Sequence, residues 1–237
     1  MPKNILITGA SSDIGIEVIN KFLENNFKIT AHINRNKNIK KKFKNNDNIQ
    51  FITYDFSKIN KTENFINKNK KLLKKFDIYV NLIGLNKPMN FYKINSKHLY
   101  EHINSNYISS LFIAREILLS TVKKKWGRIL FTSSIGTKFG GGEKTFSYSL
   151  SKYLNEFIPR HFKNAAKYNV LSNCLRIGVT DTKIHKNVRN KNMLKRAQLI
   201  PTKTISKPID IAEYIYFLCS NKNKQITNKV LDISGGE

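Results

Sequence analysis

Acid is scarce in this chain of 237 residues: 16 Asp and Glu stand against 42 Lys and Arg, a formal net charge of +26. Cysteine is scarcer still. Cys174 and Cys219 lie far apart and form no CxxC, and the histidines are scattered, which excludes a disulfide framework and a zinc-type ligand set. Long apolar runs are missing. The best candidate, Leu111 to Leu119, is interrupted by Arg115 and Glu116 and falls short of the ~20 residues needed to cross a bilayer. The apolar start Ile5-Leu6-Ile7 is too short for a secretory signal. No Pro/Gly/Ser linker, composition break or repeat divides the chain. These absences predict one domain over residues 1–237, with no membrane contact, in a reducing cytoplasmic setting.

The positive charge would ordinarily suggest nucleic acid as a partner. Here Lys far outnumbers Arg, and Asn and Ile are also abundant, a pattern that A/T-rich codons produce. The cations are spread from Lys37 to Lys229 and no nucleic-acid signature accompanies them. A basic nucleic-acid binder therefore stands as a third reading only, with weak adhesion to polyanions expected in any case.

Apolar residues make up 40% of the chain, enough for a sizeable core. Short apolar runs alternate with amphipathic stretches. Strands are expected at Asn4–Thr8, Phe27–Ile33, Ile49–Tyr54, Ile78–Ile83, Arg128–Thr132, Val170–Arg176 and Lys229–Ile233. Helices are expected at Ile14–Leu23, Asn38–Lys44, Thr62–Lys74, Ser96–Lys124 in two pieces, Ser147–Tyr168 with a kink at Pro159, and Ile209–Ser220. Such alternation predicts an α/β fold: a doubly wound, seven-stranded parallel sheet of Rossmann type with helices on both faces.

Chemistry is concentrated in Tyr148-Ser149-Leu150-Ser151-Lys152. On a helix, positions i and i+4 share a face, so a phenol and an ammonium can meet at one reacting atom. A free phenol titrates near ~10, and a neighbouring cation is expected to lower it. Such a Tyr can pass a proton to or from a substrate oxygen. The Ser133-Ser134 pair precedes it. At the other end, Thr8-Gly9-Ala10-Ser11-Ser12-Asp13-Ile14-Gly15 joins the first strand to the first helix. A glycine-rich turn there lets backbone amides approach a pyrophosphate, with the helix N-terminus adding positive potential.

Taken together, Thr8 to Gly15, Asn81-Leu82-Ile83-Gly84, Asn106, Ser134, Tyr148 and Lys152 resemble, in order and spacing, the short-chain dehydrogenase/reductase family, and the resemblance covers essentially the whole chain. It implies that Tyr148 is the acid/base, that Lys152 holds the nicotinamide ribose and lowers the Tyr pKa, that Ser134 (with Ser133 as the alternative) orients the substrate oxygen, and that Asn106 supports a proton relay. It also implies cofactor contacts from Gly9, Ser11, Ser12, Ile14, Asn34, Arg35, Asp55, Phe56, Asn81, Ile83, Gly84, Tyr148, Lys152, Gly178 and Thr182. The end of the second strand, Asn34-Arg35-Asn36-Lys37, has no acid for a ribose 2′-hydroxyl and two cations for a 2′-phosphate, so NADP(H) is expected rather than NAD(H).

The chain departs from the family pattern in places. Asp13 stands where the turn usually has Gly, and a carboxylate there would repel a pyrophosphate unless it turns to solvent. Ile83 is bulkier than the usual Ala and would crowd the ribose. After Thr182 comes the expected substrate lid, about residues 183–207. It carries Lys183, Lys186, Arg189, Lys191, Lys195, Arg196, Lys203 and Lys207 without an acid, and a cationic lid would attract an anionic substrate. Met193, Leu194 and Leu199 could instead cover an apolar one.

The resulting expectation is an enzyme that moves a hydride between NADP(H) and a carbonyl or secondary alcohol, a 3-oxoacyl thioester or keto sugar among the candidates. A catalytically silent dinucleotide-binding sensor or scaffold is the alternative. A homodimer or homotetramer is expected from the family and from the apolar surplus on two helices: Leu111, Phe112, Ile113 and Leu118, and Leu154, Phe157, Ile158 and Phe162.

Overall fold

The computed structural model describes residues 3–36, 38–58, 60–182 and 193–237. Strand β1 (Asn4–Thr8) is followed by helix α1 (Asp13–Glu24), β2 (Lys28–Ile33), the short α2 (Ile39–Lys42), β3 (Ile49–Thr53), α3 (Lys61–Leu73) and β4 (Ile78–Asn81). Then come α4 (Ser96–Ile103), α5 (Ser109–Lys124), β5 (Gly127–Ser134), α6 (Phe146–Tyr153), α7 (Arg160–Asn164) and β6 (Val170–Ile177). Helices α8 (Met193–Leu199) and α9 (Pro208–Cys219) lead to β7 (Val230–Ile233).

All strand pairings are parallel and the sheet order is β3-β2-β1-β4-β5-β6-β7. This is the expected Rossmann-type sheet. The chain winds outward from β1 to β3, then crosses back to β4, so a switch point opens between the carboxyl ends of β1 and β4. Strands buried on both faces read as continuous β-branched runs; Ile5, Leu6 and Ile7 of β1 are fully buried. One core cluster packs α1 and α9 on the sheet through Val18, Ile19, Phe22, Ile211 and Ile215. The opposite cluster packs α3 and α5 through Phe65, Ile66, Ile113 and Ile117.

Two helical stretches differ in detail from their sequence patterns. The Ser96–Lys124 stretch is continuous but swells into a π-turn at Asn104–Ile108, which carries Asn106. The expected Ser147–Tyr168 helix is broken rather than kinked. After α6 the chain passes through a 3₁₀ turn, Leu154–Glu156, and leaves the helical region at Phe157 (ψ 93°) and Pro159 (ψ 150°). Proline disfavours the helical region for the residue before it and lacks an N–H; here it caps α7 instead.

That break redistributes the apolar surplus. Ile113, Leu118, Ile158 and Phe162 are buried in the chain's own core, and Leu111 and Phe112 pack against it. Of the residues named for an oligomer face, Phe157 stands out at 73% exposure, and the exposed neighbours on these helices are Leu119 and Tyr153. Among the described residues, no helix is long and apolar enough to cross a membrane.

Candidate active site

The carboxyl ends of β1, β4, β5 and β6 meet at one sheet edge, and the turn after β1 sits at the switch point. Gly9 has φ +73°, and a Cβ there would lie 2.5 Å from the Leu82 carbonyl carbon. Only glycine fits both the left-handed backbone and the close approach. A Cβ on Gly15 would meet the Ala10 carbonyl oxygen at 2.6 Å, so α1 can press against the turn only without a side chain. Ser12 caps α1: its Oγ accepts from the Gly15 amide at 3.0 Å and donates to the Gly9 carbonyl at 3.1 Å. The amides of a helix's first turn lack intrahelical partners and carry its positive dipole end. Ser11, Ser12 and Ile14 lie at this turn and the start of α1. Asp13 opens the helix and is partly exposed.

Beneath the turn lies a residue the sequence reading passed over. The His32 imidazole is 3% exposed. Its Nδ1 accepts from the Gly9 amide at 3.4 Å, and its Nε2 lies 2.9 Å from the Tyr54 carbonyl. The carbonyl can only accept, so Nε2 carries the proton and the ring is neutral. Burial drives the His32 pKa down to about 4, with the Tyr54 carbonyl and Asp55 opposing.

Beside it, Asn34 donates to Asp55 at 3.4 Å, and Asp55 accepts from the Ser57 amide at 2.9 Å. Burial works to raise the Asp55 carboxyl, but the Ser57 hydrogen bonds and the Arg35 charge hold it below its ordinary value. Asn34 and Arg35 are exposed at the strand end; Lys37 lies outside the described residues. Phe56 is not open to an adenine: it is 3% exposed and packs on His32, Tyr54 and Phe65.

At β4, the Asn81 Oδ1 accepts from Thr8 Oγ1 at 2.9 Å and from the Ile83 amide at 3.2 Å, which ties β4 to β1. Its Nδ2 has no partner among the described residues. Ile83 packs against the α3/α5 core cluster. Gly84 borders the Tyr148 ring; a Cβ there would lie 3.9 Å from Cε2 with nothing nearer. Gly178 marks the end of β6, where a Cβ would meet the Ser234 Cα at 2.6 Å. Thr182 is nearly buried.

Tyr148 and Lys152 lie one turn apart on α6 and converge on the Ile83–Gly84 segment. Lys152, 3% exposed, donates from Nζ to the Ile83 carbonyl and to Thr132 Oγ1, both at 3.0 Å. Burial lowers Lys152 to about 8. The Tyr148 hydroxyl bonds with Ser134, and burial raises its pKa. This corrects the expected direction. In the protein alone, desolvation of the phenolate outweighs the opposing Ser134 hydrogen bond.

The adjacent serines separate as strand neighbours must, to opposite faces. Ser133 Oγ donates to Glu156 at 2.5 Å. Glu156 also accepts from Thr137 and is bridged by Arg176, which reaches Asp232 at 2.7 Å. Ser133 thus belongs to a structural ion-pair network. The hydroxyl beside Tyr148 is that of Ser134.

Asn106 is fully buried and its side chain is committed. Oδ1 accepts from the Leu85 amide at 2.7 Å; Nδ2 donates to the Leu85 carbonyl at 2.9 Å and to Ser151 Oγ at 2.8 Å. Its main-chain carbonyl accepts from Asn155 at 2.9 Å. The side chain fixes the cleft wall rather than facing a reactant.

Of the basic lid, Lys183, Lys186, Arg189 and Lys191 lie outside the described residues. Arg196 on α8 is not a free cation: it bridges to Glu237. Leu194 and Leu199 are 80% and 74% exposed. A polar cavity of about 490 Å³ is lined by Lys138, Tyr214 and the stretch from Asp232 in β7 to Glu237, and not by Tyr148. Among the described residues no group of His, Cys, Asp and Glu could hold a metal ion.

The family model for short chain dehydrogenases matches residues 3–193. A 3-oxoacyl-[acyl-carrier-protein] reductase FabG of Buchnera aphidicola subsp. Schizaphis graminum is 26% identical over 243 residues, covering 99% of this chain and 96% of that protein. An acetoacetyl-CoA reductase of an Acinetobacter species is 23% identical, with 99% and 97% covered. Among solved structures, ElxO with NADP bound superposes with TM-score 0.85 at 25% identity, covering 99% of this chain and 98% of that one.

Proposed function

This chain is a short-chain dehydrogenase, an oxidoreductase, and from that premise we propose that it is an NADP(H)-dependent reductase of a 3-oxoacyl thioester. The observation that carries the reading is the convergence of Tyr148 on Gly84, of Lys152 on the adjacent Ile83 carbonyl and of Ser134 on the Tyr148 hydroxyl. We read residues 1–237 as one dinucleotide-binding domain. Buried free thiols at Cys174 and Cys219 agree with a cytoplasmic setting.

The residues present fit a dinucleotide. The turn at Gly9 and Gly15 leaves no room for side chains, the α1 N-terminus faces it, and at Gly84 only the Tyr148 ring comes within 4 Å of an added Cβ. Gly9, Ser11, Ser12 and Ile14 would hold the pyrophosphate, Asn34 and Arg35 the adenosine 2′-phosphate, the backbone at Asp55 and Phe56 the adenine, and Lys152, Gly178 and Thr182 the nicotinamide end. When bound, the cofactor would supply the hydride for the carbonyl carbon. Tyr148, whose raised pKa keeps it protonated, gives its proton to the carbonyl oxygen. Ser134 hydrogen-bonds that oxygen and the Lys152 ammonium stabilises the charge that develops. Asn81 and Asn106 hold the two sides of the cleft in place.

The thioester is favoured because the full-length relatives at 26% and 23% identity are named reductases of 3-oxoacyl carrier protein and acetoacetyl-CoA. The chain's excess of cations suits an anionic carrier. Exposed Leu119, Tyr153 and Phe157 suit a homodimer or homotetramer joined through α5 and α6. The test is NADPH oxidation with acetoacetyl-CoA, with NADH as control. Turnover that prefers NADPH supports the reading. Tight NADPH binding without turnover of any 3-oxoacyl thioester would overturn it in favour of a dinucleotide sensor.

A further inference from the structure

Three residues on one helical face, His98, His102 and Asn106, follow one another at i, i+4 and i+8, and all three grip the same short segment of main chain. Asn106 takes both the amide and the carbonyl of Leu85, at 2.7 and 2.9 Å. His102 Nε2 takes the Lys87 amide at 3.1 Å, and His98 Nε2 takes the Lys87 carbonyl at 2.9 Å. An extended segment turns every second residue the same way, so 85 and 87 present their amides and carbonyls to the helix in turn. Both imidazoles are buried, at 7% and 0% exposure, with ring centroids 4.5 Å apart.

The gripped segment follows Gly84, which borders the Tyr148 ring. The His98 ring also reaches across to α6, where its Nδ1 lies 3.1 Å from Ser147 Oγ, one residue before Tyr148. The ladder therefore fixes the spacing between two walls of the cleft: the segment after β4 and the start of α6.

Hydrogen-bond logic fixes the protonation of His102 and the Nε2 proton of His98. His102 Nδ1 lies 2.8 Å from the His98 carbonyl, which can only accept, so Nδ1 carries the proton. Nε2 must then present a lone pair to the Lys87 amide. A second proton on His102 would set N–H against N–H. His98 is different: Nε2 donates to the Lys87 carbonyl, and Nδ1 can either accept from Ser147 or donate to it. Protonation thus breaks the ladder at His102 and spares it at His98. Burial pushes His102 below its ordinary value of 6.5, with the His98 carbonyl opposing. The charged groups facing His102 are His98, Lys87 and Glu101. Lys87 and Glu101 bridge each other at 2.6 Å, Lys97 faces Glu101, and α6 contributes the uncharged Ser147.

We propose that His98 and His102 are positioning residues of the reductase, forming with Asn106 a ladder that holds the Leu85–Lys87 wall of the substrate cleft and releases it when His102 gains a second proton. The kinetic part rests on the reductase reading; the grip on Lys87 does not. The test pairs His102→Leu, which has no acceptor, with His102→Gln, whose side-chain carbonyl accepts at every pH. Two measurements are made on each: kcat/KM for acetoacetyl-CoA with NADPH across pH 5–8, and amide exchange at Leu85–Lys87 without substrate.

His102→Leu removes the hydrogen bonds to the Lys87 amide and to the His98 carbonyl; loss of the one that holds Lys87 predicts about a tenfold rise in KM and about tenfold faster exchange at Lys87. Because burial holds His102 below its ordinary value of 6.5, the wild type should keep its kcat/KM through ~6.5 and lose it only as pH falls further, and His102→Gln should not lose it. Unchanged Lys87 exchange in His102→Leu, or an acid-side loss that persists in His102→Gln, overturns the ladder. If His102→Leu fails to fold, the His102→Gln profile decides. A wild type inactive on every thioester overturns the reductase reading alone, and the exchange measurement still decides the grip.

Discussion

The Lys152 ammonium lies 3.0 Å from the Ile83 carbonyl, so the cation of the Tyr–Lys pair is anchored to the strand end that borders the tyrosine ring. With burial lowering it to about 8, its charge is lost as pH rises through that value. Wild-type reduction should therefore decline above pH about 8. In linkage terms, the unfolded chain binds the extra proton between about 8 and the free-lysine value of ~10.4, so stability from this group rises with pH across that window. In Lys152→Arg the guanidinium stays charged, and the activity that remains should show no decline there. The check is the pH dependence of kcat/KM for both proteins.

Tyr148→Phe removes the proton donor and leaves the ring in place. Reduction should fall by at least about 100-fold, the usual worth of a positioned general acid, while NADPH binding by fluorescence titration stays near wild type. Reductase activity that survives this change would remove Tyr148 from the chemistry.

Gly9→Ala and Gly84→Ala should behave differently. At Gly9 the left-handed backbone alone costs roughly 1–2 kcal/mol, and the added carbon would meet Leu82 at 2.5 Å. A lowered thermal midpoint and lost NADPH binding are expected. At Gly84 the nearest atom is 3.9 Å away, so the variant should fold normally, with its effect confined to binding in the cleft. Equal thermal midpoints would contradict the geometry at Gly9.

His32 should make the protein acid-labile. Its folded pKa is about 4, below the free value of ~6.5, so the stability it contributes is complete above pH about 6.5 and is lost as pH falls from there through about 4. The shift corresponds to about 3 kcal/mol. Urea unfolding at pH 7 and pH 4 should show this loss in the wild type and a smaller one in His32→Gln, which does not titrate.

Much of the site's framework was legible because it depends on short-range pattern. The β-branched runs and the glycines at 9 and 15 mark a strand, a turn and a helix start within one stretch of chain. Tyr148 and Lys152 share a helix face by spacing alone. Periodicity misled where a second constraint acted. The apolar positions after Ser147 suggested one long helix, but Pro159 ends it. Ile158 and Phe162 then turn into the core instead of onto a partner. The cationic lid looked unopposed because Glu237, which pairs with Arg196, lies far along the chain.

By itself the sequence determined the parallel sheet, the glycine turn after its first strand and the shared helix face of Tyr148 and Lys152, since these follow from alternation, glycine's backbone freedom and helical spacing. Tertiary structure alone decided which of Ser133 and Ser134 faces Tyr148, that the phenol is pushed up and the lysine down, and that two histidines and Asn106 grip one stretch of backbone. Those outcomes depend on desolvation and on hydrogen bonds between residues distant in the chain, which arise only when separate elements exclude water from the same small volume.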